Sequence, residues 1–184
     1  MISLRKINTI IVIIIFILLL HHAVLSVLHL LGIIGYSPSF QITGRRIFYP
    51  VVAHIIISLY LYFKDRSKRG NRYSKLIKDI TQQIVTGILL IVFVSLHILS
   101  YSFAPMGSGY DSWMSLFHFA VDNLLFITLM LHLRVSIPRF MMSLGFLEGE
   151  NEYADFKRRT NYVMLAILAI LILAEIVYNV GGIL

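Results

Sequence analysis

Seven histidines in a chain without cysteine carry the chemistry this sequence can do. His21, His22 and His29 fall in a first apolar run, His54 in a second, His97 in a third, and His118 and His132 in a fourth. Imidazole is costly in hydrocarbon, so an ionisable residue there ordinarily faces a bundle interior and has a task. One such residue is explained by an interhelical hydrogen bond. Several on different helices are better explained by a cofactor held between helices, and haem b, which takes two axial nitrogens and no covalent link, is the obvious candidate. The lack of cysteine excludes haem c attachment through C-x-x-C-H, cysteine-ligated iron–sulfur clusters and disulfides.

Depth along the helices sorts the histidines. His54 lies ten residues before Lys64, ~15 Å from the end of its span and near mid-membrane. His132 is shallower, at the same basic side. Two helices could offer these imidazoles to opposite faces of one inner haem. His97, near the outer end of the third span, would serve a second, outer haem. For that haem the first span offers His21, His22 or His29. His22 and His29 share a face and His21 is rotated by ~100°; His29, near the outer headgroups, is also readable as merely solvated. His118 is fourteen residues from His132 on nearly one stripe, ~21 Å away, a spacing that suits two stacked haems served by one helix. His118 also forms a rival outer pair with His97.

Two carboxylates lie within the spans. Asp122 is one turn from His118, and Glu175 has Asn179 one turn later. A buried membrane carboxylate marks a proton route or an ion pair. The plainer alternatives are an Asp122–His118 hydrogen bond and a Glu175 that reaches the interface. Thr86-Gly87 precedes His97 by eleven and ten residues; it permits close approach of a macrocycle or of a neighbouring helix. Tyr60, Tyr62, Tyr110 and Trp113 read as interfacial belt residues.

The elements that must position these groups follow from composition. Of 184 residues, 58% are hydrophobic and only 14% charged, and the charges cluster between apolar runs. That excludes a sizeable soluble domain and predicts a single all-α integral membrane domain over residues 1–184. Its transmembrane helices are expected at about 7–31, 44–63, 79–103, 113–138 and 160–180. The first is too long for a signal peptide and has no small-residue cleavage site, so it reads as retained. Turn signals stand at Gly35-Tyr36-Ser37-Pro38, Arg69-Gly70-Asn71 and Pro105-Met106-Gly107-Ser108-Gly109. Fourteen of the sixteen Lys and Arg residues fall on one side of this scheme, leaving only Arg45 and Arg46 on the other. The positive-inside rule then puts the N-terminus in the cytoplasm and the C-terminus outside, and the chain is expected to be a multi-pass protein of the cell inner membrane. The basic loops serve topology and could dock a soluble cytoplasmic partner; no nucleic-acid partner is expected.

The stretch from Gln83 to Ile98, with Thr86-Gly87 followed ten residues later by His97, resembles the third helix of the cytochrome b558 membrane anchor of succinate dehydrogenases and fumarate reductases, the succinate:quinone oxidoreductases. Ala53-His54-Ile55-Ile56-Ile57-Ser58-Leu59-Tyr60 is similar to the second helix of that family and Leu131-His132-Leu133-Arg134 to the fourth. The resemblance implies two b haems with two axial histidines each. By position, His54 and His132 would hold the proximal haem, and His97 with His22 the distal one; His21, His29 and His118 remain alternatives. It implies electron passage in the respiratory chain between menaquinone and a cytoplasmic flavoprotein through an iron–sulfur subunit, with this chain as an electron-transfer anchor that is not catalytic alone. It also links Glu175 to transmembrane proton movement. A cytochrome b subunit of a hydrogenase, formate dehydrogenase or flavin-linked complex would share the haems and differ in its partner. A haem-free His/Asp transporter, using Asp122 and Glu175, is the reading from another class.

Overall fold

The computed structural model describes residues 3–66, 74–103 and 112–181. Among these the chain is all-α: α1 (Leu4–Leu30), α2 (Ser39–Arg66), α3 (Ser74–Phe103), α4 (Ser112–Ser143) and α5 (Gly149–Gly181). All five are long and apolar enough to cross a membrane, as expected of a multi-pass membrane protein. The turns at Arg69-Gly70-Asn71 and at 105–109, and Tyr110, lie outside the described residues.

The helices outrun the apolar runs that announce them. α2 begins at Ser39 rather than near Gly44, α4 continues through Pro138 to Ser143, and α5 begins at Gly149, eleven residues before Thr160. The added stretch of α5 is polar, so hydropathy does not mark it. Its first turn carries Glu150 and Glu152, which suit the positive end of the helix dipole, and the Glu152 carboxylate accepts from the Glu148 amide at 2.8 Å. Two helices stop on glycine in the left-handed region. Gly32 (φ 71°) ends α1 and Gly145 (φ 81°) ends α4, each with the paired backward hydrogen bonds of a Schellman motif. The stop of α1 therefore precedes the Gly35–Pro38 signal by three residues.

Helix packing groups the chain into two units, Met1–Arg72 and Tyr73–Leu184. In the first, α1 and α2 are an antiparallel pair. Asn8 meets His54 near the start of α1, and His22 lies over Gly44 further along. In the second, α3 and α4 run antiparallel and α5 packs on α4. One register joins α3 to α4 throughout: Gln83 bonds Ser136, Thr86 bonds His132, and His97 bonds Asp122.

Polarity is inverted relative to a water-soluble bundle. Ile, Leu, Val and Phe cover the outer faces, while Thr86, Ser100, His118, Asp122, Thr128 and Glu175 are buried. Hydrocarbon offers no hydrogen bonds, so polar side chains must find partners inside. At the starts of α3 and α5 the buried Asp79 carboxylate accepts from Lys157 at 2.6 Å and from the Tyr153 hydroxyl at 2.8 Å. Replacing it with alanine leaves two donors facing a gap. Asp79→Ala is expected to destabilise the second unit by about 1–3 kcal/mol, read as a lower melting temperature in detergent. An unchanged melting temperature would mean that the tie contributes nothing to stability.

Candidate functional site

The histidines sit at distinct polar stations along the helices, and the spacing of polar residues explains why. On α3, positions 83, 86, 97 and 101 recur at intervals of three, eleven and four, one stripe of a helix. On α4, positions 118, 122, 132 and 136 form the facing stripe. Their contacts make two stations, separated by the eleven residues, ~16 Å, between Thr86 and His97.

At the first station His132 Nδ1 is 3.0 Å from Thr86 Oγ1. The Thr86 hydroxyl donates its one proton back to the Gln82 carbonyl at 2.8 Å, so it receives the Nδ1–H of His132. That fixes the tautomer: the lone pair a metal can take is on Nε2. The ring also lies against Gly87, where an added Cβ would sit 3.6 Å from its Cε1. The close neighbour that Gly87 admits is thus the imidazole on α4. Gln83 extends the station, donating to Ser136 at 2.9 Å and accepting from Arg139. Arg139 accordingly has a partner inside the unit beyond any effect on topology. An open groove lined by Lys78, Thr81, Gln82, Val85 and Thr86 runs along α3 beside it.

At the second station Asp122, 2% exposed, accepts from His97 Nδ1 at 2.7 Å and from the Tyr101 hydroxyl at 2.6 Å. The carboxylate therefore bonds across to α3 and not to His118 on its own helix. His118 is buried, bonds the backbone of Ser100, and packs its ring on Tyr101 with centroids 4.4 Å apart; the His97 ring packs on the same tyrosine at 4.8 Å. Glu175, 3% exposed, bonds Asn179, and Asn179 accepts from Ser115 on α4 at 2.8 Å. Glu175 is thus an interior group, not one that reaches an interface.

In the first unit His54 Nδ1 donates to the Asn8 side-chain oxygen at 3.0 Å, with Ser58 close to both. Here too the Nδ1–H is engaged and the metal-binding lone pair is on Nε2. The ring of His22 covers Gly44, where an added Cβ would come within 3.3 Å of its Cε1. His21 is on an exposed face of α1. His29 is half-buried, not simply solvated: its Nδ1 donates to the Ile34 carbonyl at 3.2 Å and its ring packs on Tyr36 and Phe40. It holds the turn between α1 and α2.

Among the described residues no three His, Asp or Glu side chains converge as a metal held by side chains alone requires. No family model, curated protein or solved structure matches the chain. What the stations can do follows from their own chemistry. His54, His97 and His132 share one preparation: a ring oriented by an oxygen acceptor on Nδ1, which points to Nε2 as the nitrogen a metal could take. This is how proteins prepare imidazole for a metal, the outer partner fixing tautomer and direction. Asn8 and Tyr101 are the partners that motif reading passes over. Each has a faint signal: Asn8 is a polar residue at the start of a long apolar run, and Tyr101 follows His97 by one turn.

Proposed function

We propose that this chain is a dihaem cytochrome b membrane anchor. It carries electrons between menaquinone and a cytoplasmic iron–sulfur and flavoprotein pair of the succinate dehydrogenase or fumarate reductase type. The observation that carries the reading is the shared Nδ1 engagement of His54, His97 and His132, with two of them at separate stations on one pair of helices. The donor set fits haem b: imidazoles, oriented, in apolar helices, with no cysteine. By the family resemblance, His54 and His132 would hold one haem, His97 and His22 the other. Bound haem b would supply a one-electron carrier, and holding it through two histidines would leave no position for oxygen chemistry.

The chain's own residues supply orientation and environment. Thr86, Asn8 and Asp122 aim the imidazoles. Glu175, interior and bonded to Asn179, is the group proposed to move a proton. The basic residues from Lys64 to Lys78 and from Arg134 to Arg159 are the proposed cytoplasmic docking surface. One observation favours a second reading: two interior carboxylates, Asp122 and Glu175, in one apolar unit also suit a haem-free proton-coupled transporter.

A pyridine haemochrome assay on purified protein separates the two. The expected result is two haems b per chain, low-spin when reduced by dithionite. A folded protein that binds no haem would leave the transporter reading standing alone. Within the haem reading, Thr86→Val removes the acceptor from His132 while keeping the side chain's size. Affinity for the haem held by His132 is expected to fall roughly 10–100-fold, the usual effect of losing such a partner. Haem retention through dilution and gel filtration measures it, with the His97 haem as internal control.

A further inference from the structure

Asp122 stands apart from the other imidazole partners. Thr86 and Asn8 present neutral oxygens to His132 and His54. His97 instead meets a carboxylate, at 2.7 Å, that is 2% exposed. The second carboxylate oxygen is taken by the Tyr101 hydroxyl at 2.6 Å, and the Tyr101 ring packs on the His97 ring. Asp122 is thus held on one side by the imidazole and on the other by the phenol. Its rotation is fixed, and so is the plane of His97.

We propose that Asp122 is a positioning residue for His97, setting the imidazole's rotation and tautomer and, through its charge, lowering the midpoint potential of the haem that His97 ligates. This rests on the dihaem reading above. The physical argument is short. An acceptor on Nδ1–H raises the basicity of Nε2, and a charged acceptor raises it more than a neutral one. Oxidised haem carries one more positive charge than reduced haem. A buried negative charge just beyond the ligand ring therefore favours the oxidised form, and the low dielectric of the interior enlarges the effect. Tyr101 tempers it: its hydroxyl draws part of the carboxylate's charge away from His97. The two neighbours of Asp122 thus pull the potential in opposite directions, a signature that loose packing would not imitate.

The test is a redox titration of the purified full-length protein, followed in the haem α-band, on wild type, Asp122→Asn and Tyr101→Phe. Asp122→Asn retains an oxygen acceptor and removes the charge. One of the two haems is expected to rise in midpoint potential by at least a tenfold change in its redox equilibrium, ~59 mV for one electron, while the other stays put. Tyr101→Phe is expected to move the same haem downward. Two retained haems with potentials equal to wild type in both variants would overturn the proposal. Should Asp122→Asn lose its haem, Tyr101→Phe decides: a lowered potential supports the assignment and an unmoved one overturns it. Haem content of the wild type is read first. A wild type without haem overturns the dihaem reading and this assignment together, whereas two haems with unmoved potentials overturn this assignment alone.

Discussion

Purified His97→Ala protein is expected, on the proposed dihaem reading, to hold one haem b per chain against an expected two in wild type, and His132→Ala protein to hold the other one. The two rings belong to separate stations ~16 Å apart along α3, so the losses should be independent. Removing a ligating imidazole would cost the whole iron–nitrogen bond, an effect far larger than any packing change. His54→Ala is expected to reproduce the spectrum of His132→Ala, because the two are assigned to one haem. Three first-helix variants then complete the assignment. His22→Ala should match His97→Ala, because the family resemblance assigns those two to one haem. His21→Ala should retain both haems, because that side chain is on an exposed face. His29→Ala should retain both haems and lose stability, because its ring holds the turn at Ile34. His118→Ala should likewise keep both, its ring being packed on Tyr101 and bonded to the Ser100 backbone. Haem stoichiometry of each purified variant is the measurement. Two haems in both His97→Ala and His132→Ala would sink the ligand assignment.

The number and kind of elements were legible because a membrane helix is announced by its own residues. A run of twenty apolar side chains has one stable form in hydrocarbon, and no distant contact is needed to read it. The polar start of α5 was not legible, since Gly149–Arg159 has no apolar run and owes its helical form partly to contacts of Tyr153 and Lys157 with Asp79. The candidate histidines were legible as types at depths. Their partners were not, because partners depend on the register of one helix against another. Asp122 illustrates this: spacing along α4 points it at His118, one turn away, while the register of α4 on α3 delivers it to His97. Asn8 and His54, forty-six residues apart, meet for the same reason. Sequence spacing resolves what shares a face of one helix, and the choice of which faces meet belongs to packing.

On the proposed dihaem reading, Gly44→Leu and Gly87→Leu are each expected to abolish one haem, although neither glycine has a side chain that could bind it. At both positions the space a side chain would need is filled by an imidazole from the adjacent helix. A Cβ at Gly87 would lie 3.6 Å from His132 Cε1, an ordinary contact, so Gly87→Ala should keep both haems and stabilise the helix by up to about 1 kcal/mol. A Cβ at Gly44 would lie 3.3 Å from His22 Cε1, tighter than most such contacts, so Gly44→Ala should shift that ring by a few tenths of an ångström and leave the haem bound but altered in its low-spin spectrum. Leucine at either site has no such accommodation. The helices would have to part, at about 1–3 kcal/mol of overpacking, or the ring would have to leave its station, and an axial ligand displaced by an ångström no longer reaches its metal. The graded series from glycine through alanine to leucine therefore separates ring displacement from general unfolding. Haem loss that tracks side-chain size, with the second haem intact and the protein monodisperse, places the imidazoles where the glycines admit them. Retention of both haems in the leucine variants would show that His22 and His132 face some other surface when the cofactor is bound.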